Sequence, residues 1–163
     1  MGIEAEKLKQ VMRNWVTGVA VVTSYFEGKS HGMTINSFNS VSIDPALVVV
    51  TLANNTRTFK LVRQSNEFGV TILSTNQKEI SDRFAGKIDD KADRFRELGT
   101  FSLRGSIPLL SDGLAWVECK VINENNLGFS TLFIAEVIVA KTSGGEPLLY
   151  HDREYYRLGE KYG

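Results

Sequence analysis

Between His31 and Leu61 the chain reads HGMTINSFNSVSIDPALVVVTLANNTRTFKL, and two groups of side chains there have the types and spacing to meet a ligand. In the first, Ile35, Ser37, Asn39, Val41 and Ile43 alternate with Asn36, Phe38, Ser40 and Ser42, a period of two. An ordinary half-buried strand is polar on one face and apolar on the other. This one carries hydroxyls and amides on both, so Thr34, Asn36, Ser37 and Ser40 have groups to aim at something besides the core. The second group is Asn54-Asn55-Thr56-Arg57-Thr58, just ahead of Phe59, Leu61 and Val62. Asn or Thr there signals a helix N-cap. Free N–H groups and the positive end of the helix dipole suit a phosphate, and Arg57 adds a forked cation. The other reading is that the strand hydroxyls are satisfied by neighbouring backbone and that Arg57 is a solvated helix start.

Other chemistry is missing from the pattern. The two histidines, His31 and His151, lie far apart and show no metal-like spacing. There is no Gly-x-Ser-x-Gly elbow, no P-loop and no Gly-x-Gly-x-x-Gly turn. The single cysteine, Cys119, excludes an internal disulfide and a cysteine metal cluster, and its apolar strand makes it a buried structural thiol. Lysine plus arginine equals aspartate plus glutamate at 19 each, so no basic excess points to nucleic acid or an anionic membrane. No apolar run reaches membrane-spanning length and no signal-peptide pattern opens the chain, which makes a cytoplasmic protein the expectation. At 163 residues, a single domain over 1–163 is expected.

The elements that must position these residues are mostly strands. Leu8, Val11, Met12 and Trp15 share one face of a helix expected over 3–14, packed on the body of the protein or on a partner subunit. A β-branched strand over 18–25, a Glu27-Gly28 turn and residues 29–34 begin a meander. A strand over 35–43 ends at Asp44-Pro45, and a buried strand follows over 47–52. Another strand spans 68–74. Asn76 and Glu79 fit a capping box for a helix carrying Ile80 and Phe84. Residues 87–97 mix both charge signs, as in a solvated helix and loop. Long strands over 114–122 and 131–140 flank a connection at 123–128, and short strands at 147–150 and 154–158 close the chain. Many antiparallel strands with few helices mean a barrel or a sandwich.

Four ordered segments resemble the flavin reductase-like family: MRNWVTGVAVVTS at 12–24, HGMTINSFNSVSIDP with NNTRTFK at 31–60, SDRFAG at 81–86 and PLLYHDREYYRLG at 147–159. The resemblance spans roughly 11–158. It implies an FMN-binding split β-barrel of Greek-key type, mainly β with flanking helices, working as a homodimer. It implies an NAD(P)H:flavin oxidoreductase that reduces FMN, with FAD the next choice, and that supplies a partner oxygenase. The chain has no catalytic constellation of its own, and such an enzyme borrows its reactivity from the cofactor.

By the same resemblance, Met33, Thr34, Ile35, Asn36 and Ser37 lie against the flavin ring, with Ser40 in the same strand. Arg57 and Thr58 approach its phosphate, with Ala53, Asn54 and Thr56 nearby. Ser81, Arg83 and Phe84 sit near phosphate and ring, although Phe84 reads equally as core. One position departs. Where the family often has Gly-Asp-His, with the His linked to nicotinamide binding, this chain has Gly128-Phe129-Ser130. Ser130 offers a hydrogen bond but no imidazole. His151 either compensates or is a surface residue. This departure supports an alternative, an FMN electron carrier that trades electrons with a protein partner and has little NAD(P)H activity. The absence of a clear basic cluster in the late strands leans toward NADH over NADPH.

Overall fold

The computed structural model describes residues 2–87 and 93–163. Helix α1 (Ala5–Met12) precedes β1 (Thr17–Gly18), β2 (Ala20–Phe26), β3 (Lys29–Ile35), β4 (Asn39–Ser42) and β5 (Leu47–Ala53). Helix α2 (Arg57–Ser65), β6 (Glu67–Ile72) and a short 3-10 turn running into α3 (Lys78–Phe84) come next. The chain then forms β7 (Thr100–Phe101), β8 (Leu109–Leu110), β9 (Ala115–Asn126), β10 (Ser130–Thr142), β11 (Leu149–His151) and β12 (Glu154–Tyr156).

Seven strands form one antiparallel sheet in the order β3-β2-β6-β9-β10-β5-β4. Its two outermost strands are consecutive in the chain, joined only by Asn36, Ser37 and Phe38. In a flat sheet six strand spacings would separate them by about 29 Å. The link from Ile35 to Asn39 reaches at most about 14 Å. The sheet therefore has to roll into a barrel, left split along a seam where β3 and β4 come together without pairing. Bulges in the β9–β10 ladder, between Ile134 and Ala135 and between Val137 and Val139, bend its two longest strands as closure requires.

The barrel interior is filled from all sides by Val22, Val50, Leu52, Phe68, Val70, Phe133 and their neighbours, with α2 adding Phe59 and Val62. A second cluster, of Val19, Val21, Leu73, Phe84, Leu110 and Leu148, packs α3 and the final strands against the outside of β2. β2 is buried on both faces for this reason, Ala20 and Val22 pointing in and Val21 pointing out, so its first residues are apolar without alternation and the Thr23 and Ser24 that follow are buried too. Each fully buried large side chain here contributes about 1.5–3 kcal/mol. Cys119 belongs to the inner cluster, and burial, helped by neighbouring Glu118, pushes its thiol up to about 12. Glu118 accepts the N–H groups of Leu103 at 2.7 Å and Arg104 at 3.3 Å, pinning the loop between β7 and β8.

Several expectations need correction. The strand expected over 35–43 is two strands: β3 stops at Ile35, and β4 starts at Asn39 on the opposite edge. The small polar residues mark that crossing, and Phe38 within it still packs on the inner core. The capping box belongs to Ser74 and Gln77, not Asn76 and Glu79. Gln77 is buried and its amide also donates to Ser111 O at 2.8 Å, so the turn is anchored two residues earlier. The β9–β10 strands run on to Asn126 and from Ser130, shrinking the 123–128 connection to a turn at 127–129. The β7–β8 hairpin was not anticipated. Of the charged segment 87–97, residues 88–92 lie outside the described residues, and 94–97 form a turn. α1 buries none of its residues: Leu8, Val11 and Met12 are all more than half exposed, as is Trp15, which lies beyond the end of the helix.

Gly69 in β6 has room for nothing larger. A Cβ there would sit 2.6 Å from Leu109 Cδ2 and 2.9 Å from Ile107 Cγ2, both buried. Gly69→Ala should cost about 1–3 kcal/mol in chemical denaturation. Gly105→Ala, with nothing within 4 Å, should cost under about 0.5 kcal/mol. Equal costs would show that the clash at Gly69 relaxes freely.

Candidate functional site

β3 is an edge strand along the seam, and three cavities follow it end to end. The first, about 410 Å³, lies at the start of α2 and is lined by His31, Met33, Thr34, Asn55, Arg57 and Arg94 among others. The second, about 180 Å³, shares Thr34 with it and is walled by Ser81, Lys87, Tyr150 and Tyr155. The third, again about 410 Å³, shares Val19, Ile35 and Asn36 with the second and runs on past Ser37 and Phe38 to Thr17, Val16 and Trp15. Together they make one groove from a cationic end to an aromatic end.

The cationic end is built by α2. Thr56 is its N-cap: the hydroxyl accepts Phe59 N–H at 3.2 Å and donates to Ala53 O at 2.9 Å. Arg57 follows as the first helical residue, exposed, with no carboxylate in ion-pair distance among the described residues. Thr58 is wholly buried, its hydroxyl 2.9 Å from His31 Nδ1. Arg94 donates through Nη1 to Gly32 O at 3.0 Å and Phe84 O at 2.9 Å, tying the segment after α3 to β3. Gly32 has to lack a side chain here, since a Cβ would come within 2.9 Å of the Phe84 ring. The result is a concave surface with a helix N-terminus and two guanidinium groups, a setting for a phosphate.

In the middle of the groove, Thr34 Oγ1 donates to Ser81 O at 2.7 Å. Ser81 Oγ lies 2.8 Å from the Tyr155 hydroxyl, which also reaches Asp82 Oδ1 at 3.0 Å. Asp82 takes Lys78 at 2.7 Å and Lys87 at 2.6 Å, and both ammonium groups stand 5.2 Å from the centre of the Tyr155 ring. Burial alone would raise the Asp82 carboxyl, but hydrogen bonds from Lys78, Lys87 and Tyr155 outweigh it and bring it down to about 2. Burial raises the Tyr155 phenol, and Asp82 beside it pushes the same way.

At the far end polar groups stay unspent. Thr17 Oγ1 is buried with no hydrogen-bond partner among the described residues. The Asn36 amide is exposed to the second and third cavities. Ser37 is committed instead, donating to Thr51 O and accepting Thr51 N–H, both at 3.1 Å, which fastens the start of the crossing to β5.

Of the residues expected to form a site, Met33, Thr34, Ile35, Asn36, Ser37, Thr56, Arg57, Thr58, Ser81 and Phe84 line the groove. Phe84 does so while 1% exposed and packed edge-on to Phe95 at 5.2 Å, so it is core and wall at once. Ser40, Ala53, Asn54, Arg83, Ser130 and His151 line none of the three cavities. Arg83 bonds Arg96 O at 2.9 Å, and His151 stacks edge-on with Tyr156 at 5.8 Å in the small sheet β1-β11-β12. Asn54 is taken up by the β9–β10 turn: Nδ2 donates to Gly128 O at 2.7 Å and Oδ1 accepts Thr131 Oγ1 at 2.7 Å. Thr17, Lys87, Arg94 and Tyr155 line the groove without having been singled out. Thr17 and Tyr155 stand inside segments that carried the resemblance; Arg94 lies in a mixed-charge run with no signal of its own.

A family model for the flavin reductase like domain matches residues 12–159. The chain belongs to the flavin reductase-like family. It is 34% identical over 158 residues to an NADH-dependent flavin reductase, StyB, of Pseudomonas fluorescens, covering 94% of this chain and 90% of that one. To an NADH-dependent flavin reductase of a Rhodococcus species it is 31% identical, covering 93% and 85%. Among solved structures, flavin reductase PheA2 superposes with a TM-score of 0.88 at 35% identity, covering 97% of this chain and all of that one. The styrene monooxygenase flavin reductase of Pseudomonas putida gives 0.84 at 33%, covering 96% and 99%. The split barrel expected from sequence is the fold these reductases share, and this protein is an oxidoreductase of their class.

The Asp82 cluster gives this reductase a pH signature. Its carboxyl is depressed in the fold, so the stability it adds is present above the unfolded pKa near 3.8 and is lost as pH falls through about 2. Both lysines are more than half exposed, so solvent screening reduces the gain. Asp82→Asn should lower stability at pH 7 by roughly 1–2 kcal/mol. The difference from the parent should close between about pH 4 and pH 2, read by denaturant titration across that range. A difference that held constant down to pH 2 would mean that Asp82 stabilises by packing rather than by charge.

Proposed function

We propose that the groove along β3 holds the flavin, FMN first and FAD second, with the phosphate at Arg57 and the ring system along Thr34 to Ser37. The observation that carries this reading is a row of three cavities along β3 that share lining residues, with a paired-off middle and unspent polar groups at both ends. Among the described residues Arg57 has no carboxylate in ion-pair distance and Thr17 Oγ1 is a buried hydroxyl with no hydrogen-bond partner. Both suit a ligand that is anionic at one end and rich in hydrogen-bonding heteroatoms at the other.

Bound flavin would supply the hydride acceptor. The chain's own residues do the rest. Arg57 and the α2 N-terminus neutralise the phosphate. Thr34 bonded to Ser81 ties α3 to β3, and Tyr155 of β12 holds the same helix through Ser81 and Asp82, so that the floor of the groove does not give. Phe84 and Gly32 close its back to water. We read NADH as the co-substrate because the relatives described above carry it in their names, and reduced flavin as passing to a partner oxygenase, as the name of the styrene monooxygenase reductase implies for that protein. Of the two alternatives for α1, its unburied apolar face supports the partner subunit, since large exposed apolar patches mark interfaces. A homodimer by sedimentation at micromolar concentration is expected, and a monomer with full flavin affinity would overturn it. We also place the protein in the cytoplasm; no described helix is long and apolar enough to cross a membrane.

Stopped-flow reduction of the flavin-loaded protein by NADH tests the function. Fast hydride transfer is expected, and its absence would leave the electron-carrier reading. The placement of the phosphate has a sharper test. A charge-assisted hydrogen bond contributes roughly 1.5–3 kcal/mol, so Arg57→Ala should weaken FMN about ten- to a hundredfold. Riboflavin, lacking the phosphate, should bind weakly and lose almost nothing. Equal losses for both would make Arg57 structural and move the phosphate elsewhere.

A further inference from the structure

Phe129 is 95% exposed, at the tip of the β9–β10 hairpin. An exposed aromatic on a mobile tip would carry no argument. This tip is held on every side. Asn54 N–H donates to Phe129 O at 3.0 Å and Asn54 Nδ2 to Gly128 O at 2.7 Å. Leu127 N–H donates to Ser130 O at 2.8 Å, and Gly128 N–H to Asn126 Oδ1 at 2.8 Å. Thr131 Oγ1 closes the set on Asn54 Oδ1. Gly128 takes a φ of +90°, a conformation that side chains rarely adopt. Hydrogen bonds thus hold the backbone that carries a ring touching almost none of the chain's own atoms.

The fixing point decides what the ring is for. Asn54 is three residues ahead of Arg57, at most about 11 Å along the chain, and Asn55 between them already lines the cationic cavity. A dinucleotide whose diphosphate sat at that cavity would have its adenosine one ribose further on, at a distance that a tip held by Asn54 can meet. Leu127, Gly128 and Phe129 offer no charge, only a flat apolar face. We infer that Phe129 is a stacking platform for the adenine ring of a dinucleotide bound at the β3 groove. The inference rests on the placement of phosphate at Arg57 proposed above. The adenine belongs to FAD or to NADH; the stacking chemistry is the same, and the test separates the two.

Three ligands are titrated against the parent, Phe129→Ala and Phe129→Trp: FMN, FAD, and NADH on FMN-loaded protein under anaerobic conditions. Base–aromatic stacking predicts that Phe129→Ala weakens the adenine-bearing ligand about five- to twentyfold, that Phe129→Trp restores it, and that FMN affinity stays unchanged. A loss confined to FAD assigns the platform to the flavin; a loss confined to NADH assigns it to the hydride donor. Unchanged FAD and NADH affinities, or a loss shared equally by FMN, would overturn the inference, as would a change in oligomeric state with nucleotide affinities intact. Failure of the parent to bind FMN at all would instead count against the flavin groove itself.

Discussion

Three residues, Asn36, Ser37 and Phe38, join the two outermost strands of a seven-stranded sheet, and the rest of the molecule accommodates that short link. It is too short to span an open sheet, so the sheet closes. The same link keeps β3 and β4 from pairing where they meet, so the closed barrel keeps an open seam. An unpaired edge is normally a hazard for aggregation. Here it carries a groove, with backbone and small polar side chains of β3 facing it and helices α2 and α3 placed at its flank.

Rigidity of that groove comes from elements that lean on β3 from outside the barrel. α3 is fastened by Thr34 to Ser81 and by the Phe84 ring over Gly32, where glycine alone permits the approach. The Asp82, Lys78, Lys87 and Tyr155 cluster fixes the outer face of the same helix. Asn54 links the N-terminal approach of α2 to the β9–β10 tip. Polar bonds do this work because the groove sits at the surface, where there is too little apolar area to pack. Apolar burial holds the barrel itself, with Val22, Phe68 and Phe133 at its centre.

The sequence made some of this legible and hid the rest, for physical reasons. Strands β2 and β5 announce themselves through the β-branched runs Val21-Val22-Thr23 and Val48-Val49-Val50-Thr51, β2 being buried on both faces and β5 on one with the other half-buried. The Thr56 cap and Arg57 were legible because capping needs a particular side chain at a particular place. The break between β3 and β4 was not, since period-two alternation continues through it and only the edge-to-edge topology demands a crossing. The Asn76–Glu79 pattern competes with an overlapping Ser74–Gln77 pattern, and burial of Gln77 decides between them. Within the groove, Lys87, Arg94 and Tyr155 are wall residues that no local pattern marks. Arg94 comes from a loop distant in sequence, and nothing local marks it.

Every role proposed for these residues requires that flavin bind in the groove along β3. Amide hydrogen exchange with and without saturating FMN reads that directly, residue by residue. Slowed exchange is expected at 33–38, at Arg57 and Thr58 and around Thr17, with 9–12 and 136–142 unchanged at fixed oligomeric state. Protection that fell elsewhere on the barrel and spared 33–38 and Arg57 would contradict the account.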